Sequence, residues 1–542
     1  MILALLTLAA AADLRAAGEP GLRAIQGGAL SSHIRFLADD LLEGRGTGTR
    51  GHAIAARYVA TQFQAIGLRP AGEGGSWFQP VPIIGMTVDP GGCALEVGGA
   101  ALKYGDEVLF VPRAGSARDE VEGELVFAGY GISAPEYGYE DLPADLSGKI
   151  AVILYGAPRS ERRDFFPAAA SAVRSDGVAK TRRLLARGAA GVVLVLTPEL
   201  IEHAPWRSSV RQAAFEKMAW REGNKPGSGT ALPVAIVPPE RLASLLAKSG
   251  RSADQIFADA PSGGLKPFPI GLRARLAVQA KLRELVSENV VAVLPGAERA
   301  GEHVVVTAHL DHLGVGPKVG DDAIYNGATD DAAGVGAIIE MARAFAALPK
   351  RPPRSVLFLA VTGEEPGLQG SDYFAHHPTV PAPGIVADIN IDGPFGRWEP
   401  HDLVVLGAEH SSLGGAARTA AEALSLKISP DPQPEQVYFI RSDQYSFVKQ
   451  GVPSIFPGVG WQDAEGKTDA NRARREWWTK NRYHQPSDEW DPSLDYENMA
   501  REVRADFLMA LAVALEPGRP HWNSGDVFET LFGRGARASG PQ

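Results

Sequence analysis

The sequence has one cysteine, Cys93, so no disulfide can form within the chain and stability must come from packing or bound metal. It has no run of Lys or Arg. With 64 acidic against 54 basic residues its formal net charge is -10, which argues against a nucleic-acid binder, because phosphate contacts need a basic face. Beyond the N-terminus, no stretch approaches the roughly 20 uninterrupted apolar residues of a spanning helix, so stable membrane insertion is not expected. Internal repeats are absent. So is the composition of a disordered chain: 45% hydrophobic and 22% charged residues are ordinary for a folded protein, and 61 glycines with 40 prolines point to many ordered loops. At 542 residues the chain exceeds what one core supports, which predicts at least two packed units.

The start, MILALLTLAAAADLRAAG, reads as a secretory leader of residues 1–17, with Ala12 and Ala16-Ala17 as possible cleavage sites. That reading places the protein outside the cytoplasm, periplasmic or secreted. No basic residue precedes the apolar run, and an apolar helix packed on the protein is the plainer alternative. Residues 18–75 form the helical start of the main domain: Ile34, Leu37 and Leu41, then Ile54, Tyr58, Val59 and Phe63, recur at helical spacing around a Gly-rich turn. Residues 76–280 change character, with short runs such as ELVF at 124–127 and IAVIL at 150–154 between Gly/Pro turns, a β-rich lobe. Within it, Lys180 begins a helix stopped near Gly188, followed by a strand from Val192.

From 281 to 518 the pattern alternates: NVVAVLPG, HVVVTAHL, SVLFLAVTG and GIVADINID are apolar strands separated by helices. This predicts an α/β fold, a mostly parallel mixed sheet sandwiched by helices, with ligands collected at the carboxyl ends of the strands. The last helix is expected from about Tyr496 to Leu515. Residues 519–542, rich in Gly, Arg, Ser and Pro, are expected to be a flexible tail.

Five groups of metal-capable residues fall at those strand ends. In VVVTAHLDHLG the i, i+2 spacing brings His309 and Asp311 to one side of the strand exit, with His309 on a metal and Asp311 behind its imidazole. YNGATDDAAGVG places Asp330 and Asp331 before a helix, where either alone would ordinarily be an N-cap. VTGEEPGLQGS delivers Glu364 and Glu365 from an apolar strand. DINIDGPFG carries Asp388 and Asp392, and KNRYHQPSDEW carries His484. Two divalent ions sharing a bridging carboxylate need about two further ligands each and an open position for water. His309 and Asp392 complete one ion, Glu365 and His484 the other, with Asp330 bridging; Glu364 is left as base. His312, His376, His377 and His410 belong to no motif and are read as structural or surface groups.

The motifs TAHLDHLG, NGATDDAAG, TGEEPGLQGS, NIDG and RYHQPSD, in this order, resemble the bacterial leucyl aminopeptidase and aminopeptidase Y family of cocatalytic zinc exopeptidases, peptidase family M28. The resemblance implies a phosphorylase/hydrolase-like fold, two zinc ions as cofactors on His309, Asp330, Glu365, Asp392 and His484, Glu364 as general base and Asp311 as the aspartate orienting the histidine. Some relatives use a tyrosine to stabilise the tetrahedral intermediate, which here falls on Tyr483. The implied substrates are peptide or protein N-termini, attacked by a water activated between the ions. Residues about 120–245, with GELVFAGYG, DLSGKIAVILYG and KTRRLLARGAAGVVLV, resemble a protease-associated domain inserted into that family. Ser442-Asp443 lies where relatives line the substrate pocket. A one-zinc glutaminyl-cyclase reading is opposed by the complete set including His309. A carboxypeptidase on the same scaffold and a non-catalytic binding ectodomain are the alternatives, the latter opposed by the absence of any lost ligand. Side-chain preference and oligomeric state are not set by the sequence.

Overall fold

A computed structural model describes residues 2–159 and 165–533. The chain divides into two compact units, Met1–Val81 with Val286–Gln542, and Pro82–Leu285. The divisions fall five or six residues beyond the boundaries expected at 75/76 and 280/281.

The first unit is built on a mixed sheet whose strands are β1 (Arg69–Pro70), β2 (the end of Phe268–Leu294), β3 (Arg299–His309), β4 (Arg354–Val361), β5 (Ile385–Asn390), β6 (Asp402–Leu406), β7 (Lys427–Ser429) and β8 (Ser454–Val459). Their spatial order is β1-β2-β4-β3-β5-β8-β6-β7. The four central strands β4, β3, β5 and β8 are parallel, with Val306 opposite Phe358 on one side and Ile389 on the other. This is the helix-flanked α/β sheet expected from the apolar runs.

Side chains of successive strand residues point to opposite faces, and both faces are covered. Val304, Val306, Ala308, Val356, Phe358 and Ala360 share one core with α1 (Ile2–Ala24), α2 (Gly27–Leu37), α3 (Arg50–Ile66), α4 (Ala333–Ala346) and α5 (Tyr496–Leu515). Val305, Leu357, Leu359 and Val361 share another with Phe374 and Phe447, from the helices Gln369–His376 and Gln444–Val448. Every residue of β4 is buried, which is why it reads as SVLFLAV without alternation.

Two expectations are corrected here. Leu41 is 84% exposed and Ile54 is 38% exposed. The helix of Ile34 and Leu37 stops at Leu37, and a short turn over Asp40–Arg45 takes Leu41 out of register with the buried face. The tail begins as ordered chain: Val527–Phe532 is a helix, Phe528 and Trp522 are buried, and Ser411 pairs with Trp522. Trp522 and Phe528 supply buried apolar area that the composition average conceals. Residues 534–542 of that expected tail lie outside the described residues. The residues read as a leader form the first part of α1, which runs through Ala16-Ala17 to Ala24; Ala11 and Leu14 are buried and the Arg15 guanidinium donates to the Ala423 carbonyl. Among the described residues no helix is long and apolar enough to cross a membrane.

The second unit has its own core. Arg118–Phe127, Ile150–Leu154, Gly191–Val195 and Val234–Val237 are parallel neighbours in that order, and the first part of Phe268–Leu294 runs antiparallel to Arg118–Phe127. The helix from Gly177 to Ala186 and the strand from Gly191 realise the helix-to-strand pattern of that segment.

Candidate metal centre

The carboxyl ends of β3, β4 and β5 bring together the residues that the motifs singled out. His309 is the last residue of β3, Glu364 and Glu365 follow β4, and Asp392 follows β5. Asp330 sits in the irregular turn Ala328–Ala332 ahead of α4, joined to Asp331 by a cis peptide. His484 comes from the loop between the helix Asp469–Asn481 and α5, with its backbone at φ 54, a left-handed conformation that histidine tolerates better than branched residues.

Asp330 lies between the two histidines. Its Oδ1 is 3.0 Å from His309 Nε2 and its Oδ2 is 3.2 Å from His484 Nε2. His309 Nε2 is also 3.6 Å from Asp392 Oδ1, and His484 Nε2 is 3.1 Å from Glu365 Oε2. Two donors of one tetrahedral zinc ion, each at about 2.0 Å, stand about 3.3 Å apart, so both sets have the spacing of a shared-carboxylate pair of ions. Imidazole nitrogens with carboxylate oxygens are also a donor set that zinc accepts. All five residues expected as ligands from the sequence meet here.

The surrounding groups explain why the ligands hold this geometry, and here one expectation changes. His309 Nδ1 bonds the backbone carbonyl of Asp311 at 3.0 Å, not its carboxylate. The Asp311 carboxylate instead accepts from Thr47 Oγ1 at 2.9 Å and from the backbone N–H of Glu364 at 3.1 Å. Asp311 therefore orients His309 through its main chain, and its side chain ties the β4 exit to the β3 exit. The i, i+2 spacing puts two side chains on one side of a regular strand, but β3 ends at His309, and the chain turns before Asp311.

Asp331 is a hub rather than a ligand. Its Oδ1 accepts from the Gly334 and Gly393 N–H groups at 2.8 and 2.9 Å, and its Oδ2 from the His309 N–H at 3.2 Å. The capping role open to either aspartate is thus Asp331's. Gly334 must be glycine: a Cβ there would lie 2.3 Å from both Asp331 Oδ1 and the Ile391 carbonyl. Asp488 holds the other side of the turn, its Oδ2 accepting from the Thr329 and Asp330 N–H groups at 3.0 and 3.1 Å. Asp388, the other aspartate of DINID, is buried within β5 and accepts from Thr307 Oγ1 at 2.6 Å.

Ser442 touches the site from the far loop. Its hydroxyl donates to Asp392 Oδ2 at 2.6 Å and accepts from Asn390 Nδ2 at 2.8 Å, so it steers a ligand. Arg45 lies beneath, fully buried, donating to the carbonyls of Leu310 at 2.9 Å, Leu37 at 2.6 Å, Asn326 at 2.6 Å and Gly327 at 3.0 Å. It fixes the segments just after His309 and just before Asp330. Tyr483 stacks on His484 with ring centroids 3.8 Å apart.

The electrostatics follow from burial of like charges. Burial pushes the Glu364 carboxyl well above its usual range; His309 opposes this, and the carboxylates of Glu365, Asp443 and Asp392 add to it. Burial lifts Asp443 to about 7, with His309 opposing and Asp392 adding. Against burial, Glu365 and Asp330 hold the His484 imidazolium up to about 10. Burial lowers Arg45 to about 10, against the pull of Asp311, Asp331 and Asp330. The site is thus a buried excess of carboxylates that favours positive charge between them.

Sequence reasoning missed Arg45, Thr47, Asp331 as a hub, Ser442 as a ligand-steering group, and His312. His312 had been set aside as structural or surface, yet it is 1% exposed and its Nδ1 is 2.6 Å from Glu365 Oε1. Its position three residues after His309, in the same strand exit, was the available signal.

Residues 289–507 match the profile of peptidase family M28. This segment belongs to peptidase family M28. A probable zinc metalloprotease from Pyricularia oryzae is 32% identical over 158 residues, covering 28% of this chain and 30% of that protein. Another from Leptosphaeria maculans is 42% identical over 92 residues, 16% of this chain and 20% of the relative. The matched stretch therefore spans less than a third of either curated relative. Among solved structures, an aminopeptidase from Aneurinibacillus sp. strain AM-1 superposes with a TM-score of 0.52 at 20% identity, over 93% of this chain and 97% of that one. At that identity the likeness speaks for the fold alone. His309, Asp330, Glu365, Asp392 and His484 all lie within the matched segment.

Proposed function

We propose that the chain is a zinc-dependent aminopeptidase that releases N-terminal residues from peptides using two ions. The observation that carries this reading is Asp330 with His309 on one oxygen and His484 on the other, each histidine joined by a second carboxylate, Asp392 or Glu365. His309, Asp330 and Asp392 would hold one zinc; Asp330, Glu365 and His484 would hold the second. When bound, the ions acidify water and polarise the scissile carbonyl as Lewis acids.

The protein groups supply the rest. Glu364, on the same turn as the ligand Glu365 and fixed through its N–H by Asp311, takes the proton from the attacking water and returns it to the leaving amine, a role typically contributing about 100- to 10,000-fold. Tyr483, kept protonated by burial with Asp330 adding to the effect, donates to the developing oxyanion. The buried carboxylates favour a free α-amino group, which makes the enzyme an exopeptidase acting from the N-terminus. The names of the fungal relatives and of the Aneurinibacillus enzyme support the zinc and aminopeptidase parts.

Purified protein is expected to hold about two zinc equivalents and to cleave aminoacyl fluorogenic substrates, and Glu364→Gln to keep the metal while losing nearly all hydrolysis. Full activity in that variant would sink the assignment. Peptides blocked at one end or the other separate this reading from a carboxypeptidase on the same scaffold. We read residues 120–245 as a protease-associated insert, supported by the parallel strands of the second unit. Export rests on the apolar run of residues 2–12; N-terminal sequencing of protein from its native host tests it, with a start at Met1 in the cytoplasm as the contrary result.

A further inference from the structure

The centre contains a third imidazole. His312 follows His309 by three residues; its backbone bridges to Gly46, and its ring meets His484 edge-on, with centroids 5.7 Å apart and planes at 68°. The ring is wedged: a Cβ on Gly327, whose φ of +59 already suits glycine, would lie 2.4 Å from His312 Cγ and 2.7 Å from its Cδ2. Nothing in a two-ion set of five ligands requires this residue.

A ring nitrogen of His312 and carboxylate oxygens of Asp330 and Glu365 lie close enough together to suggest a metal site of their own. The spacing argues otherwise. Two donors of one tetrahedral ion stand about 3.3 Å apart, the separation His484 Nε2 keeps from Glu365 Oε2 and Asp330 Oδ2. His312 Nδ1 is 2.6 Å from Glu365 Oε1, the opposite oxygen of that carboxylate. That is direct contact, closer than two donors of one tetrahedral ion stand.

We propose that His312 is a positioning residue for Glu365: it holds Oε1, so that the carboxylate turns a single oxygen, Oε2, toward the ion shared with His484 and Asp330. The inference rests on the two-ion reading above. It differs from ligation in its consequences, because removing a positioning group weakens one ion's binding by about 10- to 100-fold and leaves the other ion untouched.

The test is zinc titration of the full-length apoprotein against a chromophoric chelator, with wild type, His312→Ala, His312→Asn and His484→Ala compared, and folding checked by thermal melting. Wild type is expected to bind two ions. His312→Ala is expected to keep the first at wild-type affinity and to bind the second about 10- to 100-fold more weakly. His312→Asn, whose amide nitrogen can donate to Oε1, is expected to recover most of that loss. The proposal is overturned if His312→Ala binds both ions as wild type does, or if the alanine and asparagine variants both lose the second ion as completely as His484→Ala. If the alanine variant does not fold, the asparagine variant decides: near wild-type affinity supports positioning, complete loss refutes it. A wild-type stoichiometry near one would refute the two-ion reading itself, independently of the comparison between variants.

Discussion

The backbone N–H of Glu364 donates to Asp311 Oδ1 at 3.1 Å, while Asp311 Oδ2 accepts from Thr47 Oγ1 at 2.9 Å. One buried carboxylate thus has both oxygens engaged, and it couples the placement of the proposed base to the strand exit that presents His309. Asp311→Asn turns one acceptor into a donor facing another donor. It is expected to lower kcat by about 10- to 100-fold with zinc content unchanged, measured side by side by steady-state kinetics and metal analysis. Loss of zinc with normal kcat per bound metal would restore the carboxylate to a role on the His309 imidazole.

Ser442→Ala removes the donor on Asp392 Oδ2 and leaves Asn390 without one of its acceptors. The ion on His309 and Asp392 should bind about 10-fold more weakly, while the ion on His484 and Glu365 keeps its affinity. Chelator competition resolving two steps reads this, and an unchanged first step would contradict it.

Arg45 is buried, has no ion partner at hydrogen-bond range among the described residues, and spends its donors on four carbonyls. Lysine carries fewer donors in a different geometry, so Arg45→Lys strands buried carbonyls. A destabilisation of about 2–4 kcal/mol in urea unfolding is expected. A loss below about 0.5 kcal/mol, the range of ordinary surface substitutions, would mean that water takes over those carbonyls.

His410 Nδ1 lies 2.7 Å from Asp526 Oδ2 and its Nε2 lies 3.4 Å from Glu409 Oε1, tying the start of the helix Val527–Phe532 to the turn Ala408–His410. Against burial, these carboxylates raise the imidazole from its ordinary value to about 9. A raised histidine stabilises the folded state fully below its unfolded value of about 6.5, and the contribution disappears as pH rises through about 9. Up to about 3 kcal/mol of stability should fade over that window, and Asp526→Asn should flatten the difference. Urea unfolding of both proteins from pH 6 to pH 10 is the measurement; parallel curves would refute the assignment.

The candidate ligands could be picked out because each is announced locally. An apolar strand that ends in His309, Glu365 or Asp392 must deliver that side chain to the edge of a parallel sheet, and periodicity shows where the strand ends. The fold of the first unit follows from the same runs. Less legible were groups whose roles depend on residues far away in the chain. Thr47 and Arg45 precede the metal residues by more than 260 positions and sit in a segment read only as a turn between helices. Leu41 misled because helical spacing continues through a break that only the folded backbone makes.

The sequence by itself determined the donor types, their order and the strand exits that carry them, since those depend on neighbours within a few residues. Tertiary structure alone decided which oxygen of each carboxylate faces which partner. It placed Asp311's carboxylate on Glu364 rather than His309, made Asp331 a hub for three backbone N–H groups, and brought His312 against Glu365. The physical reason is range. A hydrogen bond is settled over a few tenths of an ångström by packing from segments hundreds of residues apart, whereas the strand and helix pattern is set by burial over a few neighbouring residues.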